Sequence, residues 1–290
     1  MKPITNIPIK YSQNFLKPNV WLNAFVSKEA NISTTDTVLD IGAGSGYLTT
    51  EIAKKAGKVI AFELDSKQAT KIPTKQNIEL IVADFLDFDL GILNSYKVFA
   101  NIPFFLTAAI VRKLFIDSAN PPIHAFLFMQ VEVAARIMGA PLQQETLFSL
   151  LLKPFWDIEI VHYFNKSDFI PSPSVEVVLV EFKRKKEVDV QPKDTIDYYN
   201  FISFVLNKRK PTIKLDLINL FTFKQLQIIS KQNRFSLQAT PKTLSYQQWR
   251  DLFNSFKSIV GIEKKELIFG SYSKLMRHKD SQNNKNIIYH

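Results

Sequence analysis

The sequence predicts an α/β chain, a mostly parallel sheet of seven strands with helices on both faces, followed by a small all-helical domain. Three observations carry this. Apolar, β-rich runs alternate with helical runs from residue 37 to 138, the pattern of a doubly wound sheet. Gly42, Gly44 and Gly46 fall at the junction of the first strand of that series with its helix, where such sheets open a ligand crevice. Over residues 194–256 strand signals stop and helical periodicity takes over.

The elements follow in order. Residues 1–17 form an arm ending in Lys10-Tyr11-Ser12-Gln13-Asn14-Phe15-Leu16. Asn19–Ala30 reads as a helix, with Val20, Leu22, Phe25 and Val26 available for one face. Thr37–Ile41 is a buried strand, because its apolar run stops at the glycine cluster, and Ser45–Lys55 is the helix after it. Lys58–Leu64 is a strand, followed by a short helix that Pro73 ends, since proline lacks the N–H a helix needs. Ile78–Ala83 and Tyr96–Ala100 are strands, Leu106–Ser118 a helix, Ile123–Gln130 a strand and Val131–Met138 a helix. Trp156–Phe164 and Val175–Phe182, joined by Asn165–Ser174, close the sheet as an antiparallel pair. The basic run Lys183-Arg184-Lys185-Lys186 and then Pro192 mark a boundary. The expected domains are 1–186, a basic helical domain over 187–260, and a polar, basic extension over 261–290. Asp194, Thr195 and Thr243 are candidate helix starts.

Composition narrows the function. With no cysteine there is no disulfide, thiol nucleophile or zinc-thiolate site. The histidines at 124, 162, 278 and 290 lack metal-ligand spacing, so no metal is expected. The start has no signal-peptide core and no apolar run reaches membrane length, so a cytoplasmic, membrane-free monomer is expected. The formal net charge of +10 is segregated: residues 183–290 hold 21 Lys and Arg against 9 Asp and Glu, whereas 1–182 hold 16 against 18. Such asymmetry predicts a nucleic-acid partner held through its phosphates, with Lys183, Arg184, Lys185, Lys208, Arg209 and Lys210 as candidate contacts. A merely soluble basic domain is the alternative.

The candidate chemistry sits at strand ends. A dinucleotide fingerprint would need its third glycine at position 47, which is Tyr47 here, so a pyrophosphate cradle is disfavoured. A glycine turn without a ligand stays open. Glu63 ends the second strand about twenty residues on, where a carboxylate reaches ribose hydroxyls, and two such hydrogen bonds contribute on the order of 1.5–3 kcal/mol. Asp65 competes for that role. Asp84 ends the third strand, placed to accept from an adenine amino group or to cap the next turn. Asp40, Glu63 and Asp84 at three successive strand ends favour a ligand over chance.

These residues carry a resemblance. Asp40-Ile41-Gly42-Ala43-Gly44-Ser45-Gly46 resembles the first motif of methyltransferases that use S-adenosylmethionine. Asn101-Ile102-Pro103-Phe104 is similar to the N-[IL]-P-[YF] motif of the rRNA adenine N6-dimethyltransferases, the group containing Erm and KsgA. Ser12-Gln13-Asn14-Phe15 resembles the family's entrance motif, and Phe169-Ile170-Pro171-Ser172-Pro173-Ser174-Val175 its F-x-P-x-P-x-V loop. The resemblance implies a Rossmann-like class I methyltransferase domain with S-adenosylmethionine as cofactor and rRNA as partner. It implies cofactor contacts from Asn14, Leu16, Gly42, Gly44, Glu63, Asp84 and Asn101. Asn101, Ile102, Pro103 and Phe104 would be catalytic. An exocyclic adenine amine is a poor nucleophile because its lone pair is delocalised into the ring. The Asn101 side-chain oxygen and the Ile102 carbonyl would accept its two hydrogens, Pro103 would stiffen the loop, and Phe104 would stack on the flipped base with Phe169 opposite. Phe169 as an ordinary core residue is the alternative. Most family members carry tyrosine where Phe104 stands, so the hydroxyl is lost and the stacking face kept.

The ending Leu244-Ser245-Tyr246-Gln247-Gln248-Trp249-Arg250-Asp251-Leu252-Phe253-Asn254-Ser255-Phe256 resembles that of Erm. The favoured expectation is N6-methylation or dimethylation of an adenine in 23S rRNA, with resistance to macrolide, lincosamide and streptogramin B antibiotics. KsgA-type dimethylation of small-subunit rRNA during ribosome maturation is the second reading, and a mitochondrial transcription factor on the same scaffold is the third. The family's usual length ends near residue 260, so the extension has no expected role.

Overall fold

A computed structural model describes residues 14–207 and 210–277. The strands, in chain order, are β1 (Phe15–Leu16), β2 (Thr37–Ile41), β3 (Lys58–Phe62), β4 (Ile78–Ile81), β5 (Lys97–Asn101), β6 (His124–Gln130), β7 (Trp156–Phe164), β8 (Phe169–Ile170) and β9 (Val177–Arg184). The helices are α1 (Val20–Lys28), α2 (Tyr47–Ala53), α3 (Ser66–Ala69), α4 (Thr107–Phe115), α5 (Val131–Met138), α6 (Leu147–Leu152), α7 (Thr195–Asn207), α8 (Ile213–Leu217), α9 (Phe223–Gln232), α10 (Tyr246–Ile259) and α11 (Ile262–Glu266).

Seven strands make one sheet in the order β4-β3-β2-β5-β6-β9-β7. β2 to β6 run parallel, while β9 is antiparallel to both β6 and β7. The chain steps outward from β2 to β4, then returns to β5 on the other side of β2. That reversal makes the carboxyl ends of β2 and β5 the switch point, where ligands bind in open α/β sheets. The central strands are continuous apolar runs because helices cover both faces; Val38, Leu39, Val98, Phe99 and Ala100 are all buried. β1 and β8 form a separate antiparallel pair, Phe15 opposite Ile170 and Leu16 opposite Phe169.

Boundaries differ from the sequence reading where local geometry dictates. α2 begins at Tyr47 because Gly46, in the left-handed region, occupies the residue before it. α1 buries Leu22, Phe25 and Val26, but Val20 is 87 % exposed. At 100° per residue, Val20 lies on the side of the helix opposite Leu22. For α10 the cap is Ser245, in a reciprocal pair with Gln248. Thr243 instead lies in the preceding 3-10 turn.

Packing divides the chain into two compact units. One comprises the described residues up to Ala134 together with Trp156–Arg184, and the other Ala135–Phe155 with the described residues from Lys185 onward. The expected divisions at 186 and 260 therefore differ from the packed ones. Residues 135–155 join the helices because the Tyr198 hydroxyl donates to the Leu150 carbonyl, and the Lys185 and Asp189 N–H groups donate to the carbonyls of Phe155 and Pro154. Within this unit α10 buries Trp249, Leu252, Phe253 and Phe256, a helical i, i+3, i+4, i+7 stripe, and Tyr198 and Phe201 on α7 meet its rings. The extension continues the same packing: residues 271–277 are helical, Ile268 and Met276 are buried, and the Tyr272 N–H donates to Asn200. Among the described residues no helix is long and apolar enough to cross a membrane.

Phenylalanine rings knit the sheet unit. Phe25, Phe99, Phe126, Phe128, Phe164 and Phe169 form one cluster, with Phe128 fully buried at its centre, 4.9 Å from Phe164 and 6.5 Å from Phe169. Phe128→Ala should cost about 3–5 kcal/mol, since a buried ring leaves a cavity its neighbours only partly fill. Urea unfolding checks this; a loss below about 1 kcal/mol would show that the cluster collapses around the gap.

Candidate active site

The site grows from the turn after β2. The N–H groups of Gly42 and Ala43 both donate to the Phe62 carbonyl, which ties the turn to β3. Gly42 (φ 74°) and Gly44 (φ 58°) are left-handed, a conformation that other residues adopt at a cost. Both are also crowded. A Cβ at Gly44 would lie 2.9 Å from the Phe15 ring, and one at Gly42 would lie 3.1 Å from the Pro103 ring. The glycines therefore let two distant segments, the arm and the turn after β5, close on the same loop.

The turn after β5 is fixed from several directions. The Asn101 Nδ2 donates to the Asn14 carbonyl at 2.9 Å, so its Oδ1 points away from that bond as an acceptor. Ile102 is buried. The Leu106 N–H donates to the Pro103 carbonyl and the Thr107 hydroxyl to the Phe104 carbonyl. Phe104 is half-buried against the aromatic cluster. Asn14 comes from the arm, whose next residues pair with β8, so three expected motifs meet at one place.

The acids occupy distinct positions. Glu63 is 5 % exposed; one oxygen accepts the Gly44 N–H at 2.7 Å and the other the Asp65 N–H at 2.9 Å. Asp65 turns away and caps α3 through the Lys67 N–H. Asp84 accepts the Leu86 N–H at 2.9 Å, capping the turn after β4, and Lys113 holds that turn by donating to the Leu86 and Phe88 carbonyls. Asp40 lies inside the strand, 1 % exposed, with the Thr49 hydroxyl donating to it at 2.6 Å. Burial pushes its carboxyl up to about 7; the hydrogen bond from Thr49 opposes the rise and the nearby Glu63 charge adds to it.

Leu16 belongs to the hydrophobic core. Phe169 is 1 % exposed, edge-on to Phe128 and Phe164, so no face of its ring is open to a base, which corrects the expected stacking role. Of the basic residues, Lys183, Arg184 and Lys210 are exposed. Lys185 is committed to Asp189 at 2.7 Å, beside the Arg250 guanidinium and the Tyr246 hydroxyl on the same carboxylate, which corrects its reading as a free phosphate contact. Lys208 and Arg209 lie outside the described residues. No group of three or more potential metal ligands gathers among the described residues. Sequence reasoning missed Tyr47, whose hydroxyl accepts the Asn19 N–H and donates to Asn23, joining α1 to α2. It also missed Lys113, whose position mid-helix gives no signal of the carbonyls it reaches.

Known proteins resemble this chain. Residues 4–258 match the ribosomal RNA adenine dimethylase family. The chain is 29 % identical to an rRNA adenine N-6-methyltransferase of Bacteroides fragilis, over 88 % of this chain and 96 % of that protein. It is 32 % identical to a ribosomal RNA small subunit methyltransferase A of Clostridium acetobutylicum, over 70 % of this chain and 76 % of that one. Among solved structures, the 23S rRNA methyltransferase ErmE superposes with a TM-score of 0.74 at 22 % identity, covering 84 % of this chain and 100 % of that one, which is a likeness of fold.

Asp40 gives the turn a pH signature. Its folded-state carboxyl titrates near 7 against an ordinary value of 3.8. Protonation therefore favours the folded state, and this contribution is lost as pH rises from about 4 to about 7. Wild-type protein should lose on the order of 3 kcal/mol relative to Asp40→Asn between pH 5 and pH 8. Denaturant unfolding of both proteins at the two pH values reads this, and parallel pH dependences would contradict it.

Proposed function

The chain belongs to the ribosomal RNA adenine dimethylase family, and from that premise we propose that it methylates N6 of a specific adenine in 23S rRNA. The methyl donor is S-adenosylmethionine, which supplies a methyl group already activated on a positively charged sulfur. The cleft suits it. The left-handed turn at Gly42 and Gly44 lets Pro103 and Phe15 close around it, and the Glu63 carboxylate is buried beside it. Glu63 would take the ribose hydroxyls, Asp84 the adenine amino group, and Asn14, Gly42 and Gly44 the remainder.

The observation that carries the chemistry is the hydrogen bond from Asn101 to the Asn14 carbonyl. It uses the amide nitrogen and leaves Oδ1 to accept a hydrogen from the target amine, with the Ile102 carbonyl accepting the other. Holding both hydrogens pulls the nitrogen toward tetrahedral geometry and frees its lone pair. Pro103 stiffens the turn, and the half-buried Phe104 offers its open side to the base. No covalent intermediate is needed, so positioning does most of the work.

The Erm-like ending supports the large-subunit substrate; it runs along α10, which buries Trp249, Leu252, Phe253 and Phe256. Two methyl groups on N6 would remove both donors and add bulk where a macrolide must approach. Losing one hydrogen bond and leaving its partner unsatisfied costs about 1–3 kcal/mol, so the clash contributes too.

Asn101→Ala should abolish methyl transfer while calorimetric affinity for S-adenosylmethionine stays near wild type; Glu63→Ala and Asp84→Ala should weaken that affinity instead. Retained turnover in the first, or retained affinity in both of the others, contradicts these roles. In a susceptible bacterium, wild-type expression should raise macrolide resistance and Asn101→Ala should not. Unchanged sensitivity combined with restored small-subunit dimethylation, in a strain lacking that enzyme, would move the substrate to the small subunit.

Basic residues supply the phosphate contacts in this reading. Neutralising Lys183 and Arg184, or Lys208, Arg209 and Lys210, should flatten the log–log salt dependence of RNA binding by roughly 0.7–0.9 for each phosphate no longer neutralised. A slope unchanged in both sets puts the RNA footprint elsewhere.

A further inference from the structure

We propose that Phe105 is a second nucleotide-stacking residue, whose ring takes the base next to the flipped target adenine. This rests on the RNA methyltransferase reading above and goes beyond it by naming the residue that would hold a neighbouring nucleotide.

Exposure singles this ring out. Isolated exposed apolar side chains are common and need no explanation. Among the described phenylalanines of the sheet unit, however, all but Phe105 are buried or half-buried, and Phe105 is 55 % exposed. It sits immediately after Asn101-Ile102-Pro103-Phe104, in the 3-10 turn Phe104–Leu106. Its neighbours in sequence point inward: Phe104 packs against the aromatic cluster, and Thr107 is buried with its hydroxyl on the Phe104 carbonyl. The turn is closed by the bond from Leu106 to Pro103, so the Phe105 backbone is held while its ring faces water. One helical turn on, Ala108 is also exposed and offers only a methyl group, which leaves room beside the ring.

The chemistry of the substrate supplies the rest. Extruding an adenine breaks its stacking on both neighbours, and an enzyme that acts on extruded bases recovers part of that loss with aromatic side chains. Phe169, expected to help, is inside the core. Phe104, half-buried against the cluster, takes the target base in the reading above. The neighbouring nucleotide then needs its own platform, and the exposed ring on the same turn is Phe105. Stacking tolerates any base, so this contact would add affinity without dictating the neighbour's identity.

The test uses full-length protein and an rRNA hairpin that the wild type methylates, with 2-aminopurine replacing the nucleotide next to the target. Binding of wild type should change the fluorescence of that probe. Phe105→Ala should lose the change and raise the RNA KM roughly tenfold, with S-adenosylmethionine affinity and Tm unaltered. Phe105→Trp should restore both readouts and Phe105→Leu neither, because leucine keeps apolar bulk but has no π-face. Rescue by leucine, or a fluorescence change that persists in Phe105→Ala, overturns the stacking role. Normal methylation with a Phe105→Ala KM equal to wild type overturns this inference alone. A wild type that methylates no rRNA overturns the underlying reading and this inference with it.

Discussion

Close approach at two left-handed glycines is the constraint on which the site depends. Gly44 admits the Phe15 ring at a separation a side chain would not allow, and Gly42 admits the Pro103 ring at one tighter than most Cβ contacts. Through these approaches the arm, the β2 turn and the β5 turn share one small volume. The bond between Asn101 and Asn14 then fixes which face of the amide is available. The Glu63 carboxylate is held in place by the Gly44 and Asp65 N–H groups, so little reorganisation is left for binding.

The sheet was legible because its signals are local. Thr37–Ile41, Val131–Met138 and Trp156–Phe164 agree with the sequence reading to the residue, since each is a run of one periodicity ended by a strong punctuator. The glycine turn, Glu63, Asp84 and the Asn101 turn were legible for the same reason: a motif places them at strand ends. What was not legible is non-local. Two residues of β1 and two of β8 have no periodicity to read, and their pairing appears only in three dimensions. Residues 135–155 look like more of the α/β series, yet packing assigns them to the helical unit. Burial of Phe169 depends on Phe128 and Phe164, which sequence spacing does not bring together.

Charge counting overstated the free cations for a similar reason. Asp189 gathers Lys185, Arg250 and the Tyr246 hydroxyl, and this company holds its carboxyl below the usual range even though partial burial works the other way. Asp194 likewise takes Lys257. These pairs stabilise the helical unit at the expense of its surface potential. The residual field comes from residues such as Lys183, Arg184 and Lys210, which stand exposed.

The interrupted path of the sheet unit bears on how a ribosome must deliver it. β6 leaves the tunnel with one side unpaired, and its antiparallel neighbour β9 follows only after the chain has spent residues 135–155 on the other unit. Until then β6 presents a bare edge of N–H and C=O groups flanked by buried-type apolar residues, the kind of surface on which nascent chains associate. β1, made before the rest of the sheet unit, waits for β8 over almost its whole length. Completion of the cleft therefore waits for residues 169–170, which follow the glycine turn and Asn101 in the chain. A truncated chain that stops before Phe169 keeps the glycine turn and Asn101 but lacks the strand that pins the arm bearing Asn14.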